Sequence, residues 1–157
     1  MIDTISALAT ACFAFACGIF LTLSYIESPV RAVMGNPMTR TVPDEKARTI
    51  HATLNRLIRL LPPTMMTTMG TGTILLVAQA WQLDFAWEPL TVLIVLLLCL
   101  GYMLSRLFGR IEAVKDYPSD GDIEIVREGL GKLAALHHVG LVSSALTLLL
   151  QVTLVCA

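Results

Sequence analysis

Four stretches of the chain, at about 4–26, 64–83, 89–108 and 133–156, are each roughly 20 residues long and contain between them one Lys, Arg, Asp or Glu, Arg106. A helix needs about 20 mostly apolar residues to cross the ~30 Å hydrocarbon core of a bilayer. Each crossing segment must satisfy its own backbone hydrogen bonds there, and a helix does so. The sequence therefore predicts an all-α integral membrane four-helix bundle, with residues 1–157 as a single membrane domain. The chain is 55% hydrophobic, against about 45–50% for soluble domains, so little of it is left to form a domain in water. The first block has no basic residue before it, only Asp3. It is read as an uncleaved helix rather than a secretory signal.

The cations set an orientation. Arg31, Arg40, Lys46, Arg48, Arg56 and Arg59 fall between the first two blocks, and Arg106, Arg110, Lys115, Arg127 and Lys132 at or between the last two. The termini and the loop QLDFAWEP have none. Short loops rich in Lys and Arg stay cytoplasmic, so both termini are expected outside the cytoplasm, with Trp81 and Trp87 at the outer interface. A bacterial inner membrane suits this pattern, with the lipid bilayer as the first partner. The net charge of −1 provides no basic surface, and no nucleic-acid partner is expected. Cys12, Cys17, Cys99 and Cys156 form no CxxC and are read as buried thiols.

Between the first two blocks, Pro29, Gly35, Pro37 and Pro43 punctuate the chain. Asp44, able to cap a helix, then opens a segment in which Ala47, Ile50, Leu54, Leu57, Ile58 and Leu61 recur at three- and four-residue steps. That spacing predicts an extra amphipathic helix over about 44–61, lying in the membrane interface with Arg48 and Arg56 in water. Pro62 and Pro63 end it. After the turn-rich KDYPSDGD, the pattern from Asp122 predicts that the last helix begins one or two turns before its apolar block.

A 100° wheel places His137, Gly140, Ser144, Thr147 and Gln151 on one stripe of the last helix and rotates His138 away from it. Polar and small residues in membrane helices turn toward protein. The same reasoning points the second helix inward through Thr64, Thr67, Thr68, Thr71 and Gln79. It points the first helix inward through Ala7, Ala11, Ala14, Gly18, Thr22 and Tyr25. Met65, Met66 and Met69 are expected to face lipid, which argues against a copper route.

Ionisable residues inside a membrane are expensive and mark function. His137, Tyr25 and Asn55 are the candidate catalytic group. His51, His138, Glu27, Thr64, Thr67 and Thr68 are candidate ligand-binding residues, all near the cytoplasmic face. Glu27 has Arg31 four residues on as an alternative partner. Adjacent histidines on a helix point about 100° apart and no HxxxH or ExxH spacing occurs. No metal site and no cofactor are therefore expected.

Three segments, GIFLTLSYIESPVRAV (18–33), LNRLIRLLPPTMM (54–66) and LAALHHVGLVSSAL (133–146), resemble the small four-helix membrane proteins grouped with fungal anthrone oxygenases. The resemblance implies oxygenation of an electron-rich polycyclic phenol without an obvious cofactor. For such chemistry His137 is the candidate base, since imidazole titrates near neutrality, with Tyr25 or Asn55 to stabilise the oxyanion. A site at the interface would admit an apolar small molecule from the bilayer. Two other readings remain open: a non-catalytic accessory or assembly subunit of a larger membrane complex, and a haem- or quinone-binding electron carrier.

Overall fold

A computed structural model describes residues 4–31, 42–115 and 117–156, apart from the side chains of Phe108, Glu112 and Ala113. The predicted turn residues Gly35 and Pro37, together with Met34, Met38 and Arg40, lie outside the described residues. Every regular element described is helical. Helix α1 spans Thr4–Ile26, and a 3₁₀ turn covers Ser28–Val30. Helix α2 spans Asp44–Leu57, α3 Leu61–Gln82, α4 Trp87–Lys115 and α5 Ile123–Cys156. Three of these, α1, the Trp87–Leu107 part of α4, and α5, are long and apolar enough to cross a membrane. The α2–α3 pair qualifies as a fourth span when taken together across its 53° bend.

Helix length explains the shape. At 1.5 Å per residue α1 and α3 are about 33–35 Å long, α4 about 43 Å and α5 about 51 Å. The α3–α4 hairpin sets one end flush. There Ala9, Phe13, Leu76, Val92 and Leu96 form a buried cluster. The surplus of α4 and α5 projects from the other end, where α2 packs across it. A second cluster, including Ala47, Ile50, Leu54, Val114, Val126 and Leu130, is buried beneath α2. The extension of α5 before its apolar block is about three turns, longer than expected. Its glycines are buried against neighbours, so their weak helix propensity is overridden by packing.

Polar ties lock α2 to this projection. Arg127, 6% exposed, donates from Nη2 to Val42 O and to Asp44 Oδ1, both at 2.6 Å. Asp44 is thus the first residue of α2 and an ion-pair acceptor, and Pro43 occupies the cap position. Arg48 donates to Ser119 O at 2.8 Å and Gly121 O at 2.7 Å. It therefore holds the 117–122 loop rather than standing in water, whereas Arg56 is exposed.

The inward face of α1 is not the small-residue stripe. Ser6, Ala9, Phe13, Ala16, Phe20 and Leu23 are buried, while Ala7, Ala11, Ala14, Gly18, Thr22 and Tyr25 are exposed. The reason lies on the partners. A Cβ on Gly72 of α3 would stand 3.0 Å from Phe13, and one on Gly140 of α5 would stand 2.4 Å from Phe20. The small residues that permit close approach are on α3 and α5, and α1 supplies the rings that fill the space.

Candidate functional site

α1 packs against α3 and α5, and α4 packs against α5, but α3 and α4 touch each other far less. They are joined at the hairpin and splay apart toward α2. The gap is a cavity of about 250 Å³, walled by α3, α4 and α5 and roofed by Leu54, Leu57 and Ile58 at the α2 end. Its wall is almost wholly apolar. Met65, Met66 and Met69 line it, so the methionine face of α3 turns to the cavity. Thr64, Thr67 and Thr68 are not in the wall. Thr64 Oγ1 donates to Leu60 O at 2.8 Å, and Thr67 Oγ1 to Thr64 O at 2.9 Å. A threonine hydroxyl can satisfy itself on its own helix, which frees that face of α3 from needing a polar partner.

The α5 stripe does face inward. Gly140, Ser144, Thr147 and Gln151 are buried, and His138 is exposed. Ser144 Oγ donates to Leu141 O at 3.1 Å and Thr147 Oγ1 to Ser143 O at 2.9 Å. Gln151 Nε2 donates to Gln79 Oε1 at 2.7 Å, tying α5 to α3 near the hairpin end. His137 differs from these because its partner is a carboxylate: Nδ1 lies 2.7 Å from Glu27 Oε1. Apart from the Cys99 thiol, His137 is the sole ionisable side chain among the described residues of the cavity wall.

Local sequence puts Glu27 there. Pro29 has no N–H to continue α1. The chain turns through Ser28–Val30, with Val30 N donating to Glu27 O at 2.9 Å. Glu27 is left at the carbonyl end of α1, 2% exposed. A buried carboxylate beside a helix C-terminus gains nothing from the helix dipole and needs a donor. His137 supplies it. Arg31 instead turns back to Ser24, donating to its Oγ at 2.8 Å. With Glu27 ionised it can only accept, so Nδ1 carries the hydrogen and Nε2 is the nitrogen left for a ligand. The Phe20 ring packs beside the imidazole, with centroids 6.4 Å apart.

The structure thus brings together two of the predicted residues, His137 and Glu27, 110 positions apart. Tyr25 is 80% exposed and points away. Asn55 donates to Val114 O at 3.5 Å, outside the cavity wall. His51 is fully buried in the α2 packing, with Nδ1 2.9 Å from Ser119 Oγ and Nε2 without a hydrogen-bond partner among the described residues. Burial pushes its pKa below the ordinary value, which favours a neutral ring tying α2 to the loop. The sequence reading did not single out Phe20, Gly140 as a seat for a ring, or Cys99 on the wall. Among the described residues no group of three or more His, Cys, Asp or Glu is placed to hold a metal ion. Comparison with family models, curated proteins and solved structures gave no match.

Proposed function

We propose that this protein is a small integral membrane enzyme in which His137 acts as a general base on an apolar, weakly acidic aromatic held between α3 and α4, in an oxygenase-like reaction. The observation that carries the reading is the pairing of His137 with a buried carboxylate on the wall of an otherwise apolar cavity. Such pairing holds the tautomer and stabilises the imidazolium formed when Nε2 takes a proton. A ring-activated CH₂ that loses a proton to Nε2 gives a carbanion able to pass electrons to dioxygen. The imidazolium returns the proton to the resulting peroxide. Loss of the second C–H proton with departure of water leaves a ketone, so CH₂ plus O₂ becomes C=O plus H₂O. The resemblance to anthrone oxygenases supports the oxidative half of this scheme, and the geometry supports the proton transfer.

In this reading α1, α3, α4 and α5 cross the bilayer, and α2 lies at the cytoplasmic interface, as its Asp44, Glu45, Lys46, Arg48 and Arg56 require. The cation distribution puts both termini outside. An alkaline phosphatase fused after Ala157 is then expected to be active in the bacterial periplasm, and activity only from a cytoplasmic reporter would invert the assignment.

The enzymatic test uses the isolated protein in liposomes with anthrone as probe. Oxygen uptake matched mole for mole by anthraquinone is expected, above the rate in protein-free liposomes. A rate equal to that of protein-free liposomes would reject the reading. One observation favours the accessory-subunit alternative: the exposed Ala7, Ala11, Ala14, Gly18 and Thr22 face of α1 is of the small-residue type that packs against other membrane helices. Turnover by the isolated protein decides between the two.

A further inference from the structure

Among the described residues the cavity has a roof, a back wall and an open side. Leu54, Leu57 and Ile58 close it toward the polar end. Phe20 and α5 close it behind, with His137 in that wall. On the α3–α4 side the lining residues themselves reach the surface: Met66 is 53% exposed, Leu104 is 41% exposed, and Gly70 is exposed. Their outward neighbours are apolar, with Ile74 71% and Leu98 69% exposed. Surface of this composition on a spanning helix faces lipid tails, not water.

From this we infer that the α3–α4 seam is a lateral portal through which the ligand enters from the hydrocarbon of the membrane, not from the aqueous face. The inference rests on the His137 reading only for what the ligand does once inside. It also narrows the ligand class. The molecule partitions into lipid and carries no formal charge. It leads with the one acidic C–H or hydroxyl that meets Nε2 at the back, and its apolar remainder lies along Met69 and Met103 toward the mouth. The volume of about 250 Å³ sits below the 300–1,000 Å³ usual for ligand clefts. That admits a small fused-ring system and excludes a whole phospholipid. The methionines suit this wall, because unbranched, polarisable side chains reshape around flat rings of varied outline.

The test is photolabelling in liposomes with phenyl trifluoromethyl diazirine, an uncharged lipid-soluble carbene source, followed by peptide mapping. In the wild-type protein, adducts are expected at Met69 and Met103 inside the cavity as well as at lipid-facing Ile74 and Leu98. Gly70→Trp plugs the mouth from α3. A Cβ there meets nothing within 4 Å, so the added side chain starts in open space. Leu104→Trp plugs it independently from α4. Each is expected to cut the inner adducts by about tenfold, the factor that 1.4 kcal/mol of exclusion produces, and to leave Ile74 and Leu98 unchanged. Inner adducts that persist undiminished in both variants would overturn the portal. So would their absence from the wild-type protein alongside normal labelling of Ile74 and Leu98. Inner adducts lost in the plugged variants, with no anthrone oxidation by the wild-type protein, would uphold the route and reject the general-base reading alone.

Discussion

His137→Ala is expected to lower anthrone turnover by about 10²–10⁴-fold, the usual contribution of a positioned general base, with no comparable change for His138→Ala. The alanine variant also leaves Glu27 as a buried carboxylate without its donor, a loss of about 3–5 kcal/mol in stability. Activity and folding must therefore be separated. His137→Asn does this, because an amide N–H can still reach Glu27 while an amide cannot accept a proton at neutral pH. The asparagine variant should recover most of the thermal stability in detergent and none of the turnover. Glu27→Gln probes the other half of the pair: its amide oxygen can still accept from Nδ1, but the charge that stabilises an imidazolium is gone. It should fold and turn over slowly. If His137→Asn retained wild-type turnover, His137 would be a structural residue and the pair merely a buried tie between α1 and α5.

What could be read from the sequence follows from where the controlling information lies. The apolar blocks and the α5 stripe are properties of single helices. Gly140, Ser144, Thr147 and Gln151 repeat at helical steps and are buried together. The choice of buried face on α1 is not a single-helix property. Phe13 and Phe20 turn inward because Gly72 and Gly140, on other helices, leave room for them. The rule that small residues face protein therefore pointed α1 the wrong way. The methionines of α3 failed for a related reason: whether an apolar side chain meets lipid or a cavity depends on how far α3 and α4 splay, and neither sequence carries that angle. His137 is visible in the sequence as an intramembrane ionisable residue and Glu27 as a carboxylate at the cytoplasmic end of the first block, but their pairing spans 110 positions. A nearer partner for Glu27, Arg31, was in plain view and bonds Ser24 instead. Tyr25 looks catalytic only while the small-residue stripe is taken as the inward face of α1, and the helix rotates that stripe, and Tyr25 with it, outward.

The contact between Gly140 and Phe20 carries the second large expected effect. A Cβ at residue 140 would lie 2.4 Å from Phe20 Cε1 and 2.5 Å from Cζ, well inside van der Waals contact. The ring can yield toward the cavity or the imidazole, and either move disturbs the site. It is 8% exposed, it packs against the His137 imidazole, and it forms part of the cavity wall. Gly140→Ala should therefore destabilise the protein by about 1–3 kcal/mol, as overpacking does. This runs against the gain of up to about 1 kcal/mol that alanine brings to a helix interior. Gly18→Ala and Gly101→Ala supply the comparison: nothing lies within 4 Å of either added Cβ, so helix propensity acts alone and both should be neutral or slightly stabilising. If the ring is the obstacle, shortening it must relieve the strain. Phe20→Leu with Gly140→Ala should then be less damaged than the two single changes summed, by a coupling of about 0.5–3 kcal/mol. Thermal unfolding of the four species in detergent measures this cycle. Additivity within about 0.5 kcal/mol would mean that Phe20 does not seat on Gly140. Turnover follows the same logic, because a displaced Phe20 ring moves into the cavity or against the imidazole. Gly140→Ala should slow anthrone oxidation, and adding Phe20→Leu should return part of it, although no atom of Gly140 takes part in the chemistry.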